Sequence, residues 1–126
     1  MKIADLAPLF ILLTAACGGG GTAPTIAGLM VGTSSIARGM TSSGSVDVTD
    51  ADGLAGLKLE LAFTGPTAVT SAVDVQGASS AITSASVPFV FGLTAAAAVG
   101  SYTMGVTAID DEDLRSNTLS ATLEVR

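Results

Sequence analysis

Six carboxylates in two short stretches are the residues of this chain best suited to chemistry. The turn DADG contributes Asp50 and Asp52, and the later stretch DDED contributes Asp110, Asp111, Glu112 and Asp113. Calcium takes six to eight oxygen ligands, so clustered carboxylates are candidate calcium ligands. The alternative is simpler, because Asp is a favoured turn residue and acidic loop tips keep a secreted domain soluble.

The first stretch does not fit the helix–loop–helix calcium motif. If Gly53 is taken as the sixth position of such a loop, the twelfth is Leu59, where that motif needs a bidentate Glu. Gly53 would still allow the first turn to close. Any calcium site must therefore combine the two stretches.

Most other site chemistry is excluded by composition. The chain has no His and one Cys, which removes the Ser–His and Cys–His nucleophile pairs and the His-ligated metal sites. A pair of carboxylates could still hydrolyse a glycoside, but one Tyr, four Phe and no Trp leave little aromatic surface to hold a sugar. We expect a protein that is not an enzyme.

The net charge of −6 bears on the partner. Phosphate binding requires clustered Lys and Arg, whereas Arg38, Lys58, Arg115 and Arg126 are scattered. This argues against a nucleic-acid partner and makes cations the more natural ligand class.

The N-terminus has the layout of a secretory signal. Lys2 precedes an apolar run at 9–13, and small residues at 14–16 come directly before Cys17. The run is shorter than the roughly 20 apolar residues that span a bilayer. A buried structural Cys and a free thiol are the alternatives for Cys17, which as a lone Cys cannot form an internal disulfide.

The segment TAAC resembles the lipobox of bacterial lipoprotein signal peptides. The resemblance covers residues 1–17 and implies that Cys17 becomes the lipidated first residue of the mature chain. Residues 1–16 would be removed, and 17–25, including the run GGGG, would form a flexible tether to the membrane. Gly18 after the Cys implies the outer membrane of the bacterial cell envelope.

Beyond residue 25 the apolar residues alternate with a period of two, which predicts strands. GLKLELAF is the clearest case, with Leu57, Leu59, Leu61 and Phe63 on one face. Strands are also expected around 26–31, SVDVTD, AVTSAVDVQ, VPFVFGL, SYTMGVTAI and TLSATLEVR. Turn-forming segments separate them, and TAAAAVG at 94–100 is long enough for only one helical turn. Seven strands in about 100 residues predict an all-β, seven-stranded antiparallel sandwich over 26–126.

Residues 44–126 resemble bacterial immunoglobulin-like domains, through SVDVTDADGLAGLKLEL and through GSYTMGVTAID followed by SNTLSATLEV. The resemblance implies that Tyr102 forms a tyrosine corner, in which the hydroxyl bonds to backbone upstream; the alternative is an ordinary, partly buried Tyr. It also implies that the two acidic loops emerge at the same end. The predicted calcium ligands are Asp50, Asp52, Asp110, Asp111 and Asp113.

These observations favour a lipid-anchored structural or binding module of the cell envelope that contacts another protein through a sheet face or edge. The first alternative is a calcium-responsive adhesion or interaction module with a two-loop acidic site. The second is an accessory subunit of an envelope enzyme.

Overall fold

The computed structural model describes residues 21–75, 77 and 79–126, which form eight strands and no helix. The strands are β1 (Thr25–Val31), β2 (Ser35–Ile36), β3 (Thr41–Thr49), β4 (Lys58–Thr64), β5 (Val69–Asp74), β6 (Ser84–Gly92), β7 (Gly100–Ile109) and β8 (Arg115–Val125). The predicted signal peptide and Cys17 lie outside the described residues. Within those residues, no helix is long and apolar enough to cross a membrane.

The strands form two sheets, as expected for an immunoglobulin-like sandwich. One sheet has the order β1-β3-β6 and the other has the order β2-β8-β7-β4-β5. All neighbours are antiparallel except β2, which runs parallel to β8. The prediction of seven antiparallel strands was therefore wrong by one strand. A two-residue strand is too short to produce a visible alternation, and β2 is positioned by its backbone bonds to β8.

The core follows the alternation seen in the sequence. Leu59, Leu61 and Phe63 of β4 are at most 3% exposed, and Val46 and Val48 of β3 are fully buried. Burial of each such side chain stabilises the fold by about 1.5 to 3 kcal/mol. This packing joins the faces of the two sheets into one core.

Tyr102 makes the bond expected of a tyrosine corner. Its side chain is buried, and its hydroxyl donates to the carbonyl of Ala98, four residues upstream, at 2.6 Å. The same hydroxyl lies 3.0 Å from Oγ1 of Thr67, in the β4–β5 loop. Tyr102 thereby connects three chain segments at one end of the sandwich.

Candidate functional site

The first residues of the two acidic loops are turn caps. Oδ1 of Asp50 accepts the amide of Asp52 at 3.0 Å, and Oδ1 of Asp110 accepts the amides of Glu112 and Leu114 at 2.8 Å each. Both aspartates are buried. Short Asp side chains that bond backbone two residues ahead are a common way to close a turn. Asp50 and Asp110 therefore have a structural role that requires no metal.

The two loops meet at the start of the described chain. The amide and the hydroxyl of Thr22 both donate to Oδ2 of Asp52, and the hydroxyl also reaches Oδ1 of Asp50 at 3.3 Å. A Cβ added at Gly21 would overlap the carboxylate of Glu112 and approach Oδ2 of Asp52 to 3.4 Å. The backbone hydrogen bond from Thr22, and then the bond from its hydroxyl, lower the pKa of Asp52 below its ordinary value.

The other two predicted ligands, Asp111 and Asp113, lie in different surroundings. Asp111 lies beside Gly56, where an added Cβ would come within 2.7 Å of the Cβ of Asp111. Asp113 is exposed and has a φ of 64°, as expected for the tip of a tight turn. In the described part of the chain, no three acidic, His or Cys side chains are grouped so that they could hold a metal ion. The five aspartates thus share one end of the sandwich without forming a ligand cluster.

At this end, one carboxylate oxygen lacks a hydrogen-bond partner among the described residues. Oδ2 of Asp50 is buried and makes no hydrogen bond to the described residues. A buried carboxylate oxygen without a hydrogen bond lowers the stability of the fold. A bound cation would compensate this oxygen more than any other atom at this end.

The segment predicted as the end of a flexible tether is packed against the domain where the structure describes it. Pro24 is fully buried, Thr22 bonds to both Asp50 and Asp52, and β1 begins at Thr25. The composition of this segment, with its Thr and Pro residues, indicates a linker, but in the structure the segment covers the acidic end of the sandwich.

In contrast to that packed segment, β5 is exposed along its whole length. Its Val69 and Val73 lie opposite Phe63 and Leu59 of β4, so they face the core side of the sheet. They are nevertheless 43% and 40% exposed, because β6 is the last strand of the facing sheet and none of the described strands covers β5. The period of two predicts this strand correctly, but the number of strands in the facing sheet decides its burial.

Among the strands that the structure describes, three of the four outer sheet edges are protected from pairing. β1 contains a bulge between Ala27 and Met30, and the amide and carbonyl of Ile26 are both bonded by the side chain of Asn117. β2 has two residues, and β6 contains Pro88. Short strands, bulges and prolines are the usual devices that prevent edge pairing.

β5 has none of these devices. Its six residues, VTSAVD, contain no Pro and no Lys, and Asp74 is their single charge. The ladder with β4 runs without a register shift. Within the part of the chain that the structure describes, no strand pairs with the outer side of β5.

The hydrogen-bond pattern shows which β5 groups are free. The amide of Val75 donates to the carbonyl of Leu57 at 3.0 Å, in the register of the β4–β5 ladder. Because bonded and non-bonded pairs alternate in an antiparallel ladder, Ser71 and Val73 also direct their amides and carbonyls toward β4. The amides and carbonyls of Thr70, Ala72 and Asp74 therefore point outward.

Beside β5 there is an apolar cleft of about 290 Å³ between the two sheets. Its apolar lining comes from both sheets and from the loops at this side: Leu54, Leu59, Val73, Val75, Ile82, Ala85, Val87 and Pro88. We call β5 and this cleft the open side of the sandwich. No residue pattern in the sequence indicates the cleft, because it forms where the three-stranded sheet of the described residues ends before reaching β5.

Comparison with known proteins identifies the fold but no family. No protein-family model and no curated protein sequence matches the chain. A Niemann-Pick type C2 protein from the Japanese carpenter ant is similar in structure, with a TM-score of 0.61 and 10% identity over 85% of this chain and 96% of that one. The PKD domain of an M14-like peptidase from a Thermoplasmatales archaeon has a TM-score of 0.51 and 15% identity over 84% of this chain and 98% of that domain.

A part of a larger enzyme is also similar. An alkylpurine DNA glycosylase from Pseudomonas fluorescens, solved bound to DNA, has a TM-score of 0.57 and 15% identity over 82% of this chain. The match spans only 30% of that enzyme. At these identities the similarities establish a shared two-sheet fold, and they leave the function to be argued from this chain's own surface.

Proposed function

We propose that the protein is a non-catalytic, lipid-anchored binding module of the bacterial cell envelope that contacts a protein partner through β5. The observation that carries the proposal is the unprotected edge of β5, beside three edges that are each blocked. Solvent-exposed outward groups on Thr70, Ala72 and Asp74 can pair with an extended segment of a partner, as in β-strand addition.

The anchor is the part of the proposal supported by sequence alone. Cys17 stands directly after three small residues and an apolar run. Cys17→Ala is expected to move the protein from the membrane fraction to the soluble fraction and to abolish labelling by a radioactive fatty acid. Cys17→Ser serves as a second variant that lacks the acylated thiol. Retention of either variant in the membrane fraction, with labelling intact, would contradict the anchor.

The edge is tested by crosslinking in the intact envelope. A photoreactive residue at Thr70, on the free edge, is expected to give covalent adducts with protein, and Ala72→Pro is expected to abolish them. A photoreactive residue at Thr118, which is exposed on β8 of the same sheet, is the matched control. Equal adducts from both positions, or adducts that survive Ala72→Pro, would rule out the edge as the contact surface.

A calcium-responsive module is the second candidate, and the partnerless Oδ2 of Asp50 favours it. Asp52 and Glu112 converge at Gly21 and add negative charge near Asp50. A calcium ion bound there with a dissociation constant of about 10⁻⁴ M would stabilise the fold by about 2.7 kcal/mol at 10 mM calcium. The melting temperature should then rise on the order of 10 °C relative to EDTA, and Asp50→Asn should remove the rise. An unchanged melting temperature in the wild-type protein would exclude this candidate.

A further inference from the structure

We infer that the partner of β5 is the β5 of a second copy of this chain, paired antiparallel about a two-fold axis at Ser71. This inference rests on the proposed function and identifies the partner. A two-fold contact uses the same surface on both copies, so the edge must be complementary to itself.

The backbone pattern limits the possible registers. The free amides and carbonyls belong to Thr70, Ala72 and Asp74, so a free residue of one copy must lie opposite a free residue of the other. A register centred on Ser71 places Thr70 opposite the second copy's Ala72, and both residues then exchange two hydrogen bonds. Registers shifted by one residue would place free groups opposite groups already bonded to β4.

The side chains favour the centre at Ser71 over one at Ala72. With Ser71 at the centre, each Val69 lies directly opposite the other copy's Val73, on the core side of the joined sheet. These are cross-strand pairs of β-branched residues, which stabilise a sheet. With Ala72 at the centre, Val73 would lie opposite Ser71 and lose this contact.

The charges do not oppose the pairing. Asp74 is the single charged residue of β5, and in this register the two copies of Asp74 are roughly 20 Å apart along the joined strands. That separation exceeds the screening length of about 8 Å at physiological ionic strength. Although the chain has a net charge of −6, the paired β5 strands therefore bring no like charges opposite each other.

The contact is small, because six residues of one strand bury less surface than the roughly 1,200 Å² of a stable interface. The dimer is consequently weak in dilute solution. Anchoring both copies in one membrane would raise their effective concentration and favour pairing.

The test is disulfide trapping in the full chain carrying Cys17→Ala, so that each introduced Cys is the only thiol. In the proposed register the two Ser71 residues form a non-hydrogen-bonded pair with Cα atoms about 4.5 Å apart, within the range of a disulfide. The two Thr70 residues are diagonal neighbours roughly 8 Å apart, beyond that range. Oxygen with copper–phenanthroline is the oxidant that removes the two thiol hydrogens as the S–S bond forms.

We expect Ser71→Cys to give a covalent dimer of twice the 12.3 kDa chain mass at roughly 0.1 to 1 mM protein, and Thr70→Cys to remain monomeric. Adding Ala72→Pro to Ser71→Cys should abolish the dimer, and circular dichroism checks that each variant is folded. Equal trapping at both positions, trapping only at Ala72→Cys, or no trapping would overturn the inference. If trapping fails while photocrosslinking at Thr70 still captures a different protein in a manner blocked by Ala72→Pro, the proposed function stands and only the second copy is excluded.

Discussion

Gly53 lies against the backbone of Ser80, with no room for a side chain between them. A Cβ added at Gly53 would stand 2.6 Å from Cα of Ser80 and would overlap the Ser80 carbonyl oxygen. Gly53 also has a φ of 93°, which L residues rarely adopt. This contact joins the acidic β3–β4 loop to the β5–β6 loop, so it links the acidic end of the sandwich to its open side.

Gly53→Ala is expected to lower the free energy of unfolding by about 3 kcal/mol, from backbone strain together with displacement of Ser80. The matched control is Gly77→Ala, because Gly77 has a similar φ of 76° and nothing within 4 Å of an added Cβ. We expect about 1 kcal/mol there, from backbone strain alone. Urea unfolding of both variants measures the difference, and equal losses would mean that the Ser80 contact contributes nothing.

Tyr102→Phe removes the hydroxyl that bonds to Ala98 and Thr67 and leaves the ring in place. We expect a loss of about 1 to 3 kcal/mol, because a partly buried carbonyl loses its partner. Thr67→Ala is the control, since it removes only the second of these bonds and should cost less. Thermal unfolding followed by circular dichroism compares the two, and a melting temperature unchanged by Tyr102→Phe would contradict a stabilising corner.

Asn117 holds the two sheets together at β1. Its Oδ1 accepts the amide of Ile26 and its Nδ2 donates to the Ile26 carbonyl, both at 2.9 Å. Asn117→Ala should therefore cost about 1 to 2 kcal/mol and should increase amide hydrogen exchange in β1 more than in β3. Ser120→Ala, at an exposed position of the same strand, is expected to change neither quantity. Uniform exchange across both strands would show that Asn117 does not fix β1 locally.

The fold could be predicted from alternation, because side chains such as Leu59, Leu61 and Phe63 report directly on a half-buried strand. Tyr102 could be placed by resemblance, since its role depends on a local Gly-x-Tyr pattern. By contrast, the role of Asn117 depends on a residue 91 positions away in sequence, and no local pattern encodes that pairing.

The candidate site was less predictable for a related reason. The sequence does not distinguish an Asp that binds an ion from an Asp that caps its own turn. For Asp110 the role is decided by the structure, in which its side chain accepts hydrogen bonds from the amides of Glu112 and Leu114. The open side depends on the number of strands in the facing sheet. Val69 and Val73 therefore resemble core residues in the sequence and are exposed in the structure.

The pKa of Asp52 should make the attachment of Thr22 sensitive to acid. The bonds from the Thr22 amide and hydroxyl lower this pKa in the folded state below the roughly 3.9 of an unfolded chain. The stabilisation is therefore fully present above about pH 4 and is lost as the pH falls through the folded pKa. NMR titration of the Asp52 carboxyl between about pH 2 and 6 measures this value, and the Thr22 amide resonance should move with it.

Thr22→Val separates the two bonds to Asp52, because it removes the hydroxyl and keeps the amide. Since the amide bond is the larger cause, the pKa of Asp52 should rise only part of the way to its ordinary value. A wild-type pKa at or above the ordinary value would show that Thr22 is not bound to Asp52 in solution.

Proline substitutions in β5 test the assignment of its free edge. Ser71→Pro removes an amide that the register directs toward β4, so it should cost about 3 kcal/mol. Ala72→Pro removes an amide that points outward, so the ladder with β4 stays intact and the loss should remain within about 1 kcal/mol. Chemical unfolding of the two variants gives the comparison. The reverse order would mean that the outward groups belong to Ser71 and Val73. The two Ser71 residues would then form a hydrogen-bonded pair, and the proposed exchange of bonds between Thr70 and Ala72 would be wrong.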